Sequence, residues 1–236
     1  MRMTRIKLVS TFLLQAVFSS LNGYGQAQAA KFRYPAMAPL EQYLMPESEE
    51  IALAHSAAPA SISGAAEVLV LRRDGYATAV KGNNGFVCIV ERSWGKATDD
   101  LEFWNQKMRA PHCFNAQAAK TFLQIYLMKT KLVLAGKSRT EILNATTSAL
   151  DRKELPPLEP GAMAYMMSKE QYLGDDGMNW YPHVMFFAAG DATKSWGADL
   201  PDSPVMAAND PEERVTILFV FADKWSDGTK APAMAH

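Results

Sequence analysis

AAEVLVLRRDGYATAVKGNNGFVCIVER, residues 65–92, carries three short apolar runs at 67–71, 76–80 and 86–90, separated by two turn signals. Arg73, Asp74 and Gly75 supply the first reversal. Gly82 and Gly85 flank Asn83 and Asn84, a pair that tolerates the positive φ of a tight hairpin. The stretch therefore predicts a three-stranded antiparallel meander, and the rest of the chain can be placed around it.

Downstream, Asn115 caps a helix expected over 116–135, with Gly136 as its stop. Ser138 and Glu141 form the S-x-x-E signature in which each side chain caps the other's backbone amide, so a second helix follows until Pro156 and Pro157. Two helices joined by one tight turn make a helical hairpin. Further strands are expected at 162–167, within 179–187 and at 215–221. The runs 184–187 and 215–221 are apolar at successive positions, which predicts central strands covered on both faces. The expected fold class is α+β: a mainly antiparallel sheet of five or six strands, with the helical hairpin packed on one face. The Pro-rich N-terminal segment and loops would cover the other face. Residues 93–112, with Trp94, Phe103 and Trp104 among charged neighbours, read as a loop laying its aromatics over a sheet edge, and the region 196–210 also reads as loops.

At the N-terminus, Arg2, Arg5 and Lys7 precede an apolar run at 8–21 that ends in Ala27, Gln28, Ala29, the pattern of a secretory signal peptide cleaved near Ala29. The expected organisation is a signal peptide at 1–29, a Pro-rich segment with a short helix at 30–64, one α+β domain at 65–222 and a flexible tail at 223–236. Cleavage takes three positive charges off a formal −1 and leaves −4. Such a chain has no electrostatic pull on nucleic acid or anionic lipid, and no later stretch is long enough to span a bilayer in the mature form. A periplasmic or secreted location is expected. Cys88 and Cys113 are the two cysteines, and in an oxidising compartment their default reading is a disulfide, closing a loop of about 25 residues worth ~3 kcal/mol. Cys88 as a free nucleophile is the competing reading.

His183 is the most suggestive single residue. It follows the Tyr181 to Pro182 step, opens an apolar strand, and has Trp180 and Tyr181 beside it and Asp175, Asp176 and Asp191 nearby in sequence. A histidine so placed can serve as a general base or as one metal ligand, or simply bond to backbone. No H-x-x-x-H, H-x-H or C-x-x-C spacing supports a metal site, no G-x-S-x-G elbow supports a triad, and 82–85 lack the ending of a phosphate loop. His55 reads as a helix-end residue and His112 as a neighbour of the disulfide. The 13 methionines, Met163, Met166 and Met167 among them, read as core filler.

Five segments, at 79–94, 111–114, 154–163, 181–187 and 196–204, together resemble a family of exported bacterial proteins that carry no assigned activity. The resemblance covers roughly 56–229. It implies a bacterial extracytoplasmic protein, supplies no catalytic residue, and admits another residue at the His112 position. The functional expectation is an exported, disulfide-stapled, non-enzymatic protein without a cofactor, binding a small molecule or cell-envelope component near Trp180, Tyr181 and His183. The alternative is a hydrolase with His183 as general base and Asp175, Asp176 or Asp191 orienting it; a third reading is a structural envelope protein without a ligand.

Overall fold

A computed structural model describes residues 33–175 and 180–232, which belong to one compact unit. The expected signal peptide and Asp176 lie outside the described residues.

The two-fold alternation of residues 65–92 yields three strands, but not a meander. Strand β1 (Glu67–Arg72) pairs antiparallel with β2 (Gly75–Val80) through the turn at Arg73 and Asp74, whereas β3 (Val87–Glu91) runs parallel to β1 on its other side. Gly82 explains the crossing. A Cβ built there would stand 2.1 Å from the Glu67 nitrogen, so the chain passes over the start of β1 with main chain against main chain. Asn83 and Glu67 then exchange backbone bonds with Ala65 and Phe86, and the Asn84 amide donates to the Ile62 carbonyl at 2.7 Å. The glycines that suggested a hairpin instead permit a crossover.

Beyond β3 the sheet continues through β4 (Ala110–Phe114), β5 (Met163–Met166), β6 (His183–Ala189), β7 (Val205–Asp210) and β8 (Val215–Phe221). The described sheet has eight strands, in the order β2-β1-β3-β4-β5-β6-β8-β7, and is antiparallel except at β1 and β3. Five or six strands understated it because β4 and β7 fell in stretches read as loops: β4 carries Pro111 and His112, and β7 carries Ala207, Ala208, Asn209 and Asp210, poor strand formers recruited by their neighbours.

After α1 (Glu47–His55) and the one-turn α2 (Ala60–Ser63), the expected single helix is broken into α3 (Ala116–Lys120) and α4 (Phe122–Leu134) at Thr121, whose φ and ψ of −123° and −80° leave the helical region. Asn115 caps α3 by accepting from the Ala118 amide, and a Schellman arrangement at Gly136 (φ +73°) ends α4. The capping box at Ser138 and Glu141 starts α5 (Arg139–Asp151), completing the helical hairpin.

The two faces of the sheet carry separate cores. On one, Val68, Val70, Cys88, Val90 and Cys113 pack beneath α1 (Glu47–His55), and Ala57 and Ala58 follow that helix into the same cluster. On the other, Ile89, Phe114, Met166, Met185, Phe187 and Phe219 join Leu123, Tyr126 and Ile142 of the helices. Tyr43 enters this second cluster with Tyr34, Met37, Leu40 and Leu44 packed against it, so residues 34–44 lie on the hairpin's side and α1 takes the place expected for them. Trp94, Phe103 and Trp104 are buried here too. Strand β6 alternates in burial: His183, Met185 and Phe187 are covered, while Val184 and Phe186 are half-open, with Trp196 standing 5.9 Å from the Phe186 ring. Cys88 and Cys113 are direct cross-strand partners of β3 and β4 and form the disulfide. Arg92 and Glu50, both fully buried, meet at 2.9 Å and tie α1 to the end of β3.

Candidate functional site

Strand register brings together what the sequence keeps apart. Cys113 pairs with Tyr165 across β4 and β5, which sets His112 level with Met166, and Met166 pairs with His183 on β6. His112, Met166 and His183 thus form a row across three adjacent strands. All three side chains lie on the face of the larger core, because residues two apart share a face: Phe114, Ala164 and Met185 belong to that cluster. The row lines a cavity of about 660 Å³ with Met108, Trp180, Ile217 and Phe219.

His183 is fully buried, and its Nδ1 stands 2.7 Å from the Tyr181 carbonyl oxygen. A carbonyl only accepts, so Nδ1 carries the proton and Nε2 keeps a bare lone pair. That Nε2 is buried and has no hydrogen-bond partner among the described residues. Burial pushes the His183 imidazole down to about 4, against the pull of the Tyr181 carbonyl, so the ring is neutral at physiological pH. Trp180, Phe219 and Phe221 surround it with ring centroids 5.4 to 5.8 Å away. His112 is likewise neutral: burial first, and the proximity of His183 second, lower it to about 3. Its Nδ1 is buried without a hydrogen-bond partner among the described residues, 3.5 Å from Glu91 Oε2. Burial, reinforced by Glu213, raises Glu91 to about 8, with Lys129 opposing. The floor is therefore a neutral polar set in an apolar frame.

The mouth has the opposite character. Asp99 and Asp100 approach from the segment after β3, Asp210 and Glu212 from the end of β7 and the turn after it, and Lys96 is the single cation among the described residues of the lining. Two latches hold these segments together. Thr98 donates to Glu212 from its amide and from its hydroxyl, at 3.0 and 2.8 Å. Lys129 of α4, almost wholly buried, donates to Glu213 at 2.8 Å and to the Lys96 carbonyl at 3.0 Å. Burial disfavours the Lys129 charge, but Glu213, Asp210 and Glu212 outweigh it and keep the ammonium charged.

Of the residues singled out in the sequence, Trp180 and His183 line the cavity. Tyr181 contributes its main-chain carbonyl to His183 and lays its ring edge-on against Phe221 at 6.3 Å. Asp175 is engaged elsewhere: Tyr34, Tyr172 and Lys107 all donate to its carboxylate, holding it well below the usual carboxylate range. Asp191 follows the far end of β6 from His183. No serine, threonine or cysteine side chain is among the described residues lining the cavity. In the sequence His112 reads only as a neighbour of the disulfide and Met166 only as core filler, and Met108 is not singled out, since their convergence is a matter of register between separate segments. Among the described residues no three His, Cys, Asp or Glu side chains are grouped to hold a metal ion, and no helix is long and apolar enough to cross a membrane. Set against family models, curated proteins and solved structures, the chain matches none of them.

Proposed function

We propose that the protein is an exported, non-enzymatic binding protein whose ligand is a small cationic species seated in the cavity between β4, β6 and β8. The observation that carries this reading is the fully buried His183, whose Nε2 has no partner among the described residues, in a space rimmed by carboxylates. A buried acceptor without a partner costs about 1–3 kcal/mol, and a ligand that engages that lone pair recovers it. Four carboxylates against one lysine give the mouth a negative field that concentrates cations. Below the rim, Trp180 and Phe219 give the wall an apolar surface, and a low local dielectric strengthens any interaction made with the floor. Binding is favoured over hydrolysis because Nδ1 of His183 addresses a backbone carbonyl rather than a carboxylate, and no nucleophile lines the described wall. The signal-like N-terminus, the resemblance to exported proteins and the disulfide support export.

A thermal-shift screen of wild type and His183→Ala against organic cations, metal cations and neutral cell-wall fragments tests the reading. A ligand at 100 times its Kd stabilises by about 2.7 kcal/mol. At least one cation should raise the melting temperature of wild type and fail to do so in the variant. Equal responses from both proteins, or responses confined to neutral fragments, would contradict it.

A further inference from the structure

We propose that the cation this cavity takes is a hydroxylated arylalkylamine, with its ammonium among Asp99, Asp210 and Glu212 at the mouth, its ring against Trp180 and Phe219, and its ring hydroxyl donating to Nε2 of His183. The inference rests on the cavity reading above and names the ligand class. At about 660 Å³ the cavity suits a molecule of one or two rings, within the ~300–1,000 Å³ common for small-molecule sites.

The lining decides where the charge of such a ligand sits. Its floor offers no counter-ion. His183 and His112 are neutral, and Glu91, 3.5 Å from His112, is raised to about 8 by its burial first and Glu213 second, so it holds its proton at neutral pH. A cation placed there would lose its water without gaining an anionic partner. At the mouth the balance is reversed. Lys96 stands 3.6 Å from Asp100 and 3.8 Å from Glu102, Lys129 is bound to Glu213, and Arg139, off the lining, donates to the Thr98 and Asp100 carbonyls. Asp99, Asp210 and Glu212 then answer a charge from outside, and they repel a ligand that carries a carboxylate of its own.

The other end suits a ring. Trp180, His183 and Phe219 all line the cavity and touch one another, with centroids 5.0 Å apart for Trp180 and Phe219, 5.4 Å for His183 and Phe219, and 5.6 Å for Trp180 and His183. Such a cluster offers faces and edges to a fourth ring, which gains more than the area it buries, whereas an aliphatic chain gains the area alone. His183 selects the hydroxyl. Its Nδ1 proton is committed to the Tyr181 carbonyl and its buried Nε2 has no partner among the described residues, so the group it can accept from is a neutral donor.

Calorimetric titration of the purified protein with four probes tests this: tyramine; phenethylamine, which lacks the hydroxyl; 4-ethylphenol, which lacks the ammonium; and free tyrosine, which adds a carboxylate. Tyramine should bind tightest, and each of the other three at least ~5-fold more weakly, the loss that follows when one buried polar contact goes unmade. Added salt should weaken tyramine and leave 4-ethylphenol unchanged. The advantage of tyramine over phenethylamine should vanish in His183→Ala and persist in Asp99→Asn, where both amines weaken together. The comparison of probes on the wild type depends on no variant's folding. Any of the other three probes bound as tightly as tyramine, or an advantage over phenethylamine that survives in His183→Ala, would overturn the proposal. If tyramine fails while an aliphatic or metal cation stabilises wild type and not His183→Ala, the arylalkylamine assignment falls and the cavity reading stands. If no cation binds, both fall.

Discussion

Gly82 and Gly136 show how the surroundings of one atom decide what a residue does. Both accept an added Cβ only at a cost, but the costs differ in kind. At Gly82 the new atom would sit 2.1 Å from backbone, while at Gly136 it meets open space and only the φ of +73° resists it. Gly82→Ala should therefore destabilise by about 3 kcal/mol or more, and Gly136→Ala by about 1 kcal/mol, in urea melts of the two variants. Similar losses at both sites would contradict the crossover. Glu91 makes a second case, in its response to pH. Its folded value of about 8 lies above that of an unfolded glutamate, so it favours the fold fully at low pH and that favour is lost as pH rises toward 8. His183 and His112, at about 4 and 3, act in the other direction: below the ordinary value of about 6.5 the unfolded chain takes up protons that the native one refuses, and stability falls with acid. From these three groups the ligand-free protein has its maximum near pH 6.5. Glu91→Gln, which mimics the protonated acid, should flatten the decline from pH 6.5 to 8 in melting temperature while keeping the acid limb. An unchanged alkaline limb would show that Glu91 ionises freely in the fold.

Elements divide by whether their signals are local. The capping box of α5 was legible because Ser138 and Glu141 carry it within one turn, and Ser138→Ala should cost about 1 kcal/mol, read from chemical denaturation. A loss below a few tenths would mean that tertiary packing alone holds that helix start. Strand β8 was legible because 215–221 is apolar at every position but Thr216, and the disulfide because two cysteines in a chain with a signal-like N-terminus have few alternatives. By contrast, β4 was hidden by Pro111 and His112, whose strand state comes from pairing with β3, and Thr121 gave no warning of the break between α3 and α4. The parallel pairing of β1 with β3 could not be read at all: a glycine-rich turn serves a hairpin and a crossover equally well, and only the close approach at Gly82 separates them. The site followed the same division. Trp180 and His183 stood out as neighbours in sequence, whereas His112 and Met166 join them through register, which no single segment encodes.

At the scale of the whole molecule, the disulfide and the cavity lie on opposite faces of the sheet, with Cys113 of β4 pointing to one core and His112 to the other. Cys88 and Cys113 join adjacent strands next to the cavity row, and the bond closes a loop of 25 residues. The double substitution Cys88→Ala with Cys113→Ala should cost about 3 kcal/mol of stability in denaturant melts, and reductant should lower the wild type toward the same midpoint. A midpoint insensitive to reductant would contradict a bridge that holds β3 to β4. The functional account, in turn, turns on one ring: a neutral His183 protonated on Nδ1, with no partner for its buried Nε2 among the described residues. Long-range proton–nitrogen spectra of the ligand-free protein at pH 6 measure this directly. The account predicts a protonated Nδ1 and an unprotonated Nε2 for His183, unchanged from pH 7 to pH 5; a charged imidazolium at pH 6, or a proton on Nε2, would contradict it.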